Sequence, residues 1–158
     1  MEARGQGGNV RAVVQRVSQA SVSVGGETVA HIGGGLCVLL SVAEGDGQSD
    51  LDYIVDKVAG LRIFADDAGK MNRDVCQAAG AVLLVSQFTL HGDVRRGRRP
   101  SFTAAMAPEP ARQWIDRCAA DLRARHIDVQ QGIFAADMQV TLTNDGPVTI
   151  LLDSQKTF

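Results

Sequence analysis

Gly33-Gly34-Gly35-Leu36-Cys37-Val38-Leu39-Leu40-Ser41-Val42 is the stretch that decides the fold. Three glycines punctuate the chain, and the run from Leu36 to Val42 that follows is nearly all apolar. Such a run suits a strand covered on both faces better than an edge, so it is read as central. Ahead of it, Val10 to Val17 and Ser21 to Val24 combine β-branched residues with turn signals. Gly25-Gly26 is a hairpin-type dipeptide leading into Thr28 to Ile32. The N-terminal part therefore reads as a meander of antiparallel strands.

Downstream, past the turn-rich stretch Glu44 to Gln48, apolar residues recur at Leu51, Ile54, Val55, Val58 and Leu61, the spacing of one helical face. Ser49 with Asp52 three residues on predicts a capping box at its start. Pro110 in a first turn, with Ala111, Trp114, Ile115, Cys118 and Leu122 on one stripe, predicts a second helix and places Trp114 in the core. Between the helices, Ala81 to Leu90 reads as a buried strand. Val129 to Ile133, Met138 to Thr143 and Val148 to Leu152 complete the β content. The sum is an α+β fold: a single strand-rich domain over residues 10–158, with a curved antiparallel or mixed sheet, or a barrel-like core, carrying two main helices. Residues 1–9 hold three glycines and little apolar content and are expected to form a flexible extension.

Composition bounds the function. A chain of 158 residues with 45% hydrophobic content has the size and material for one domain with a proper core. Sixteen basic against 18 acidic residues give a net charge of −2, so there is no general basic field and any nucleic-acid contact must be local. With 4% aromatic residues, a surface of repeated stacking platforms is hard to build. No apolar stretch approaches the roughly 20 residues of a membrane span, and the first residues lack a hydrophobic signal core, so a cytoplasmic protein with no membrane partner is expected. Cys37, Cys76 and Cys118 are odd in number and widely spaced, which argues against disulfides; Cys37 and Cys118 read as buried thiols. His31, His91 and His126 are isolated, and no metal or other cofactor is expected.

Two local sequences are too particular to be scaffold alone. The first is Ser86-Gln87-Phe88-Thr89-Leu90, where polar residues cluster as a buried strand exits. Its hydroxyls can satisfy backbone groups, or act as nucleophiles if a base activates them, and the neighbouring His91 is not obviously placed to do so. Its backbone amides can instead stabilise a developing oxyanion. The second is Asn144-Asp145-Gly146-Pro147-Val148-Thr149, which reads first as a hairpin turn between two strands. Gly-Pro also adopts a cis bond cheaply, and glycine lets bare backbone approach a small substrate. A weaker candidate is the segment His91 to Pro100, in which Arg95, Arg96, Arg98 and Arg99 outnumber Asp93; these forked donors suit phosphates, and a solvated loop is the alternative.

Val10 to Val17, Ser86 to Leu90 and Asn144 to Thr149, in that order and spacing, together resemble a D-aminoacyl-tRNA deacylase. The similarity runs from about Val10 to Asp153 and takes in Arg99-Pro100-Ser101-Phe102 and Phe134-Ala135-Ala136-Asp137-Met138. The form Ser-Gln-Phe-Thr-Leu resembles the D-specific branch more than the related animal branch. The resemblance implies chiral proofreading: hydrolysis of the ester between a D-amino acid, or mischarged glycine, and the terminal adenosine of tRNA, by a homodimer with active sites at the subunit interface. It implies that Gly146-Pro147 is cis, that this loop of one subunit enters the other's pocket and rejects L-aminoacyl substrates, and that Arg16 holds the loop. It assigns the oxyanion contacts to the main-chain amides of Phe88 and Thr89, and shaping of the adenosine end to Ser86 and Gln87.

Phe134 and Met138 are candidate substrate contacts, although an apolar pair four apart also suits a core. Arg95, Arg96, Arg98 and Arg99 are candidate tRNA phosphate contacts. Whether the Thr89 side chain takes a chemical role stays open at this point, with assistance by the ribose 2′-hydroxyl the preferred route. Two other classes remain: a non-catalytic module that binds an aminoacylated RNA end, and a general acyl hydrolase using Ser86 or Thr89 as nucleophile.

Overall fold

A computed structural model of the chain describes residues 8–158. Strand β1 (Arg11–Val24) is one continuous element, not two. It organises the sheet. Along one edge it pairs antiparallel with β8 (Met138–Asp153) over its whole length. Its other edge is divided between β3 (Gly35–Ser41), which takes Arg11 to Val17, and β2 (Glu27–Ile32), which takes Ala20 to Val24. The sheet continues from β3 to β6 (Ala81–Ser86) and β7 (Asp128–Gln131), both joined in parallel, and curls so that it is nearly closed like a barrel.

The expected central strand is β3, held between β1 and β6. Its residues alternate between two cores. Leu36, Val38 and Leu40 face the cluster under the helices, while Cys37 faces Val17, Val22, Ile32, Leu83 and Val85 on the other side. Burial on both faces is why the run carries no polar alternation. Gly35 must be glycine: its φ is +152°, and a Cβ there would lie 1.9 Å from the Ala81 carbonyl oxygen.

Helix α1 (Gln48–Gly60) buries Leu51, Ile54, Val55 and Val58 as its periodicity predicts. Its cap is displaced from the expected Ser49–Asp52 pair: Gly47 is the N-cap, and its amide donates to Asp50 Oδ2 at 3.1 Å. Asp52 instead accepts from Gln48 Nε2 at 2.6 Å. Helix α2 (Pro108–Ala124) buries Ala111, Ile115, Cys118 and Leu122, while Trp114 is half-buried against the same cluster. A short hairpin, β4 (Phe64–Ala65) and β5 (Met71–Arg73), has no counterpart in the sequence reading.

Two further corrections concern the candidate motifs. The strand expected over Ala81 to Leu90 ends at Ser86, and Phe88–His91 forms a single 3-10 turn. Asn144 to Thr149 does not reverse the chain. Thr149 lies opposite Gln15 and Asn144 opposite Val17, so five steps of β8 face two of β1, and the surplus residues bulge outward while the strand runs on.

Of the stretch 1–9 expected to be flexible, residues 1–7 lie outside the described residues. Asn9 donates through Nδ2 to Asp153 Oδ2 at 2.6 Å, and the Gly8 carbonyl accepts from Gln155 Nε2 at 2.8 Å. Cys37 and Cys118 are buried thiols, pushed up to about 11 and about 12 by desolvation, and Cys76 is exposed. Among the described residues no helix is long and apolar enough to cross a membrane.

Candidate active site

The parallel strands β3 and β6 end side by side, with Leu40 opposite Ser86. Chains leaving the carboxyl ends of neighbouring parallel strands part from one another, and a crevice opens where they do. Here it is a cavity of about 600 Å³. Ser86, Gln87 and Phe88 form one wall, Phe134 and Met138 another, and the start of α2 a third. The structure thus brings together five of the predicted site residues from two distant segments.

Within that wall the 3-10 turn sets the chemistry. Its first amides, those of Phe88 and Thr89, have no partner inside the turn, because a 3-10 helix bonds each amide to the carbonyl three residues earlier. The flanking amides are already used: Gln87 donates to the Leu40 carbonyl at 2.8 Å and Leu90 to that of Gln87 at 3.1 Å. Phe88 lines the cavity, and Thr89, next to it in the chain, is not among the lining residues; two adjacent N–H groups of this kind can stabilise the charge of an oxyanion without side-chain help.

Among the described residues no ionisable side chain hydrogen-bonds the Ser86 or Thr89 hydroxyl. Thr89 Oγ1 receives a hydrogen bond from Gln87 Nε2. Both ring nitrogens of buried His91 are engaged away from it, Nδ1 with Ser41 Oγ at 2.5 Å and Nε2 with the Asn9 carbonyl oxygen at 2.6 Å. Desolvation holds the imidazole below its usual range, and the positive charge of Arg11 adds to this against the Asn9 contact and the charge of Asp153. Asp137 is the one ionisable side chain among the described lining residues.

Gly146, Pro147 and Arg16 are not part of this cavity. The Gly146-Pro147 bond is cis. Arg16 Nε donates to the Asp145 carbonyl at 2.9 Å and Nη1 to the Ile63 carbonyl at 2.7 Å, so the guanidinium ties the bulge to the chain after α1. Asn144 Oδ1 accepts from the Val148 amide at 2.9 Å and closes the bulge from within.

The arginine segment is a loop closed by reciprocal backbone bonds between Asp93 and Ser101, at 2.7 and 2.9 Å, with Gly97 at positive φ. Arg95 is held by Asp93, whose carboxyl its guanidinium pulls down to about 2; Arg96, Arg98 and Arg99 are exposed. The loop reaches the cavity through Phe102, which meets Phe88 edge to face with ring centroids 5.2 Å apart.

Sequence reading missed Leu40, Ser41, Ala105, Met106 and Pro108 in the lining. The signal that exposes them is the parallel pairing of β3 with β6, which no local pattern in either strand announces.

Comparison with known proteins gives the family. The family model described as D-Tyr-tRNA(Tyr) deacylase matches residues 13–153. A D-aminoacyl-tRNA deacylase of Symbiobacterium thermophilum is 58% identical over 149 residues, spanning 94% of this chain and 99% of that one. One of Desulfitobacterium hafniense is 54% identical over 149 residues, spanning 94% and 100%. Among solved structures, the c-Myc DNA Unwinding Element Binding Protein superposes with a TM-score of 0.85 at 43% identity, covering 90% of this chain and 97% of that one. The chain is thus an ester hydrolase. The chain belongs to the D-aminoacyl-tRNA deacylase family, and the reaction is the removal of D-amino acids from tRNA in translation proofreading.

Proposed function

We propose that the protein hydrolyses D-aminoacyl-tRNA, and glycyl-tRNA with it, by main-chain catalysis at a site completed by a second copy of the chain. The aminoacyl-adenosine end occupies the 600 Å³ cavity, with Ser86, Gln87, Phe134 and Met138 around it. Water adds to the ester carbonyl, and the amides of Phe88 and Thr89 take the oxyanion. The bond to the ribose oxygen breaks, and the departing oxygen is protonated with help from the neighbouring 2′-hydroxyl. The observation that carries this reading is the pair of adjacent amides in the turn after Gln87 that have no partner among the described residues, with no base on the Thr89 hydroxyl there either. The alternatives, a general hydrolase with Ser86 or Thr89 as nucleophile and a binding module without turnover, are less well supported for that reason.

The position of the Gly146–Pro147 bulge supports a homodimer. Met138 lines the cavity, and Gly146 follows it by eight residues along the same strand, about 26 Å at 3.3 Å per residue. The bulge therefore serves a pocket other than its own chain's. The outer edge of β8 pairs with no strand among the described residues, and Leu151 upon it is 52% exposed, as an edge awaiting a partner would be. In this reading the backbone of Gly146 and Pro147 blocks an L side chain by contact, and glycine, having no side chain, is not rejected. Arg96, Arg98 and Arg99 meet tRNA phosphates on the side of the cavity joined by Phe102.

The test is deacylation of matched D-tyrosyl-, L-tyrosyl- and glycyl-tRNA by purified protein, against spontaneous ester loss. Release from the D and glycyl forms alone is the expected result. Equal release from D and L forms overturns the stereochemical reading, and binding without release supports the module.

A further inference from the structure

The turn that carries the two amides is short, and a 3-10 turn has few and poorly aligned internal bonds, so it does not fix its own direction. Buried side chains grip it from behind. Ser41, at the end of β3 and 1% exposed, places Oγ 3.3 Å from the Phe88 carbonyl oxygen and 2.5 Å from His91 Nδ1. His91 Nε2 lies 2.6 Å from the Asn9 carbonyl oxygen. A carbonyl only accepts, so Nε2 carries the proton, and Nδ1 of the neutral ring accepts from the Ser41 hydroxyl. Arg11 Nη1 donates to the Leu90 carbonyl at 3.2 Å, while its Nε faces Asp153 Oδ2 at 3.3 Å. Two of the turn's four residues are thereby fixed, Leu90 to β1 and His91 to both β3 and Asn9.

We propose that Ser41, His91 and Arg11 are positioning residues for deacylation: a buried polar clamp that sets the direction in which the Phe88 and Thr89 amides face the ester carbonyl. The inference rests on the reading of those amides as the oxyanion donors. Such donors act only when preorganised at the place where charge develops, and loss of one costs about 10²–10³ in kcat where this has been measured. A clamp that lets both drift is expected to cost about tenfold or more, chiefly in kcat, because Ser86, Gln87, Phe134 and Met138 are unaltered and Ser41, although it lines the cavity, is 1% exposed.

The clamp holds in either protonation state of His91. The charged groups facing His91 are Arg11 from β1 and Asp153 from β8; Ser41 and the Asn9 carbonyl are neutral. A proton added at Nδ1 reverses the bond without breaking it: Nδ1 then donates to Ser41 Oγ, and the hydroxyl turns to the Phe88 carbonyl.

The experiment compares the wild type with Ser41→Ala, Ser41→Thr, His91→Gln and His91→Phe by single-turnover deacylation of D-tyrosyl-tRNA between pH 5 and 8. Thermal melting and amide hydrogen exchange at residues 88–90 are measured in parallel, without substrate. Expected are a fall in kcat of about tenfold for Ser41→Ala and His91→Phe, KM within twofold, faster exchange at residues 88–90, and recovery in Ser41→Thr. The losses in Ser41→Ala and His91→Phe are expected to persist across that pH range. Folded variants with lowered melting temperature but unchanged kcat, or with unchanged exchange, overturn the clamp. A wild type that releases no D-tyrosine overturns the parent reading and with it the catalytic role of the clamp. The exchange data then report separately whether these side chains hold the turn.

Discussion

Arg16 and Asp145 are joined by main chain and side chain together: the guanidinium Nε donates to the Asp145 carbonyl at 2.9 Å and stands 3.6 Å from its carboxylate. With Nη1 on the Ile63 carbonyl, a side chain only 15% exposed fixes the base of the bulge that carries Gly146 and Pro147. Arg16→Ala removes both bonds and leaves the two carbonyls without their donor, at a cost of about 1.5–3 kcal/mol. Arg16→Lys provides no planar fork to span them and recovers only part of the loss. Denaturant unfolding measures the stability, and D-against-L release measures whether the bulge has lost its shape.

Gly146→Ala is expected to disturb the same bulge from within. At φ +140° an L side chain is strained, and its Cβ would lie 2.7 Å from Val148 Cγ2 and 2.9 Å from the Val148 amide nitrogen. A destabilisation of about 1–3 kcal/mol is expected, together with L-tyrosyl-tRNA release above the spontaneous rate. Unchanged discrimination in a folded variant separates the bulge from stereochemical rejection.

Thr89→Ala keeps the backbone amide and removes the hydroxyl. Main-chain catalysis predicts kcat within about tenfold of the wild type and no acyl-enzyme on intact-mass analysis during turnover. Complete loss of activity in a folded protein assigns the hydroxyl a chemical role.

Two buried groups give stability opposite dependences on pH. Burial raises the Asp46 carboxyl to about 7 against the pull of the Ala43 amide, with Asp50 and Asp153 adding to the rise. Its Oδ1 has no hydrogen-bond partner among the described residues. Between pH 7 and the ordinary value of 3.8 the folded protein holds a proton there that the unfolded chain does not, so stability rises as pH falls through that window. His91 behaves in the reverse sense. Between 6.5 and its lower folded value the unfolded chain takes up the proton, so stability falls with acidification. Asp46→Asn is therefore expected to exceed the wild type in stability at pH 8, with the gap closing by pH 5 in urea titrations. A gap independent of pH excludes Asp46 as the titrating group.

Arg96→Ala and Arg99→Ala test the phosphate contacts. Each is expected to raise KM several-fold with little change in kcat, and to reduce the slope of log affinity against log salt by about 1. Arg95→Ala is expected to do less, because Asp93 already engages that guanidinium through Nε at 3.0 Å and Nη2 at 2.8 Å.

What could be read in advance follows from which interactions are local. Leu36 to Val42 announces a doubly covered strand because burial on both faces is written into every residue of the run. The stripes of α1 and α2 are legible for the same reason. Phe88-Thr89-Leu90 looks extended, since aromatic and β-branched residues favour strands, yet it forms a turn to which Arg11, Ser41 and Asn9 reach from other segments, at Leu90 and His91. Asn144 to Thr149 has the chemistry of a reversing turn, yet β1 lies beside both halves of β8 and carries the chain straight past it. Residues 134 and 138 were singled out as candidate contacts, but that they face 86 to 88 depends on how β8 lies against the rest of the sheet.

The pairing of β1 with β8 has a consequence for synthesis. Arg11 lies opposite Asp153, so the strand made first waits for the one made last before the sheet acquires its second edge. At about 5–20 residues per second, a chain of 158 residues spends roughly 10–30 s on the ribosome with β1 unmatched along that side. Met138 and the Gly146–Pro147 bulge both lie on β8. Under the proposed reading a nascent chain therefore has no complete site until β8 has been made and has paired with β1.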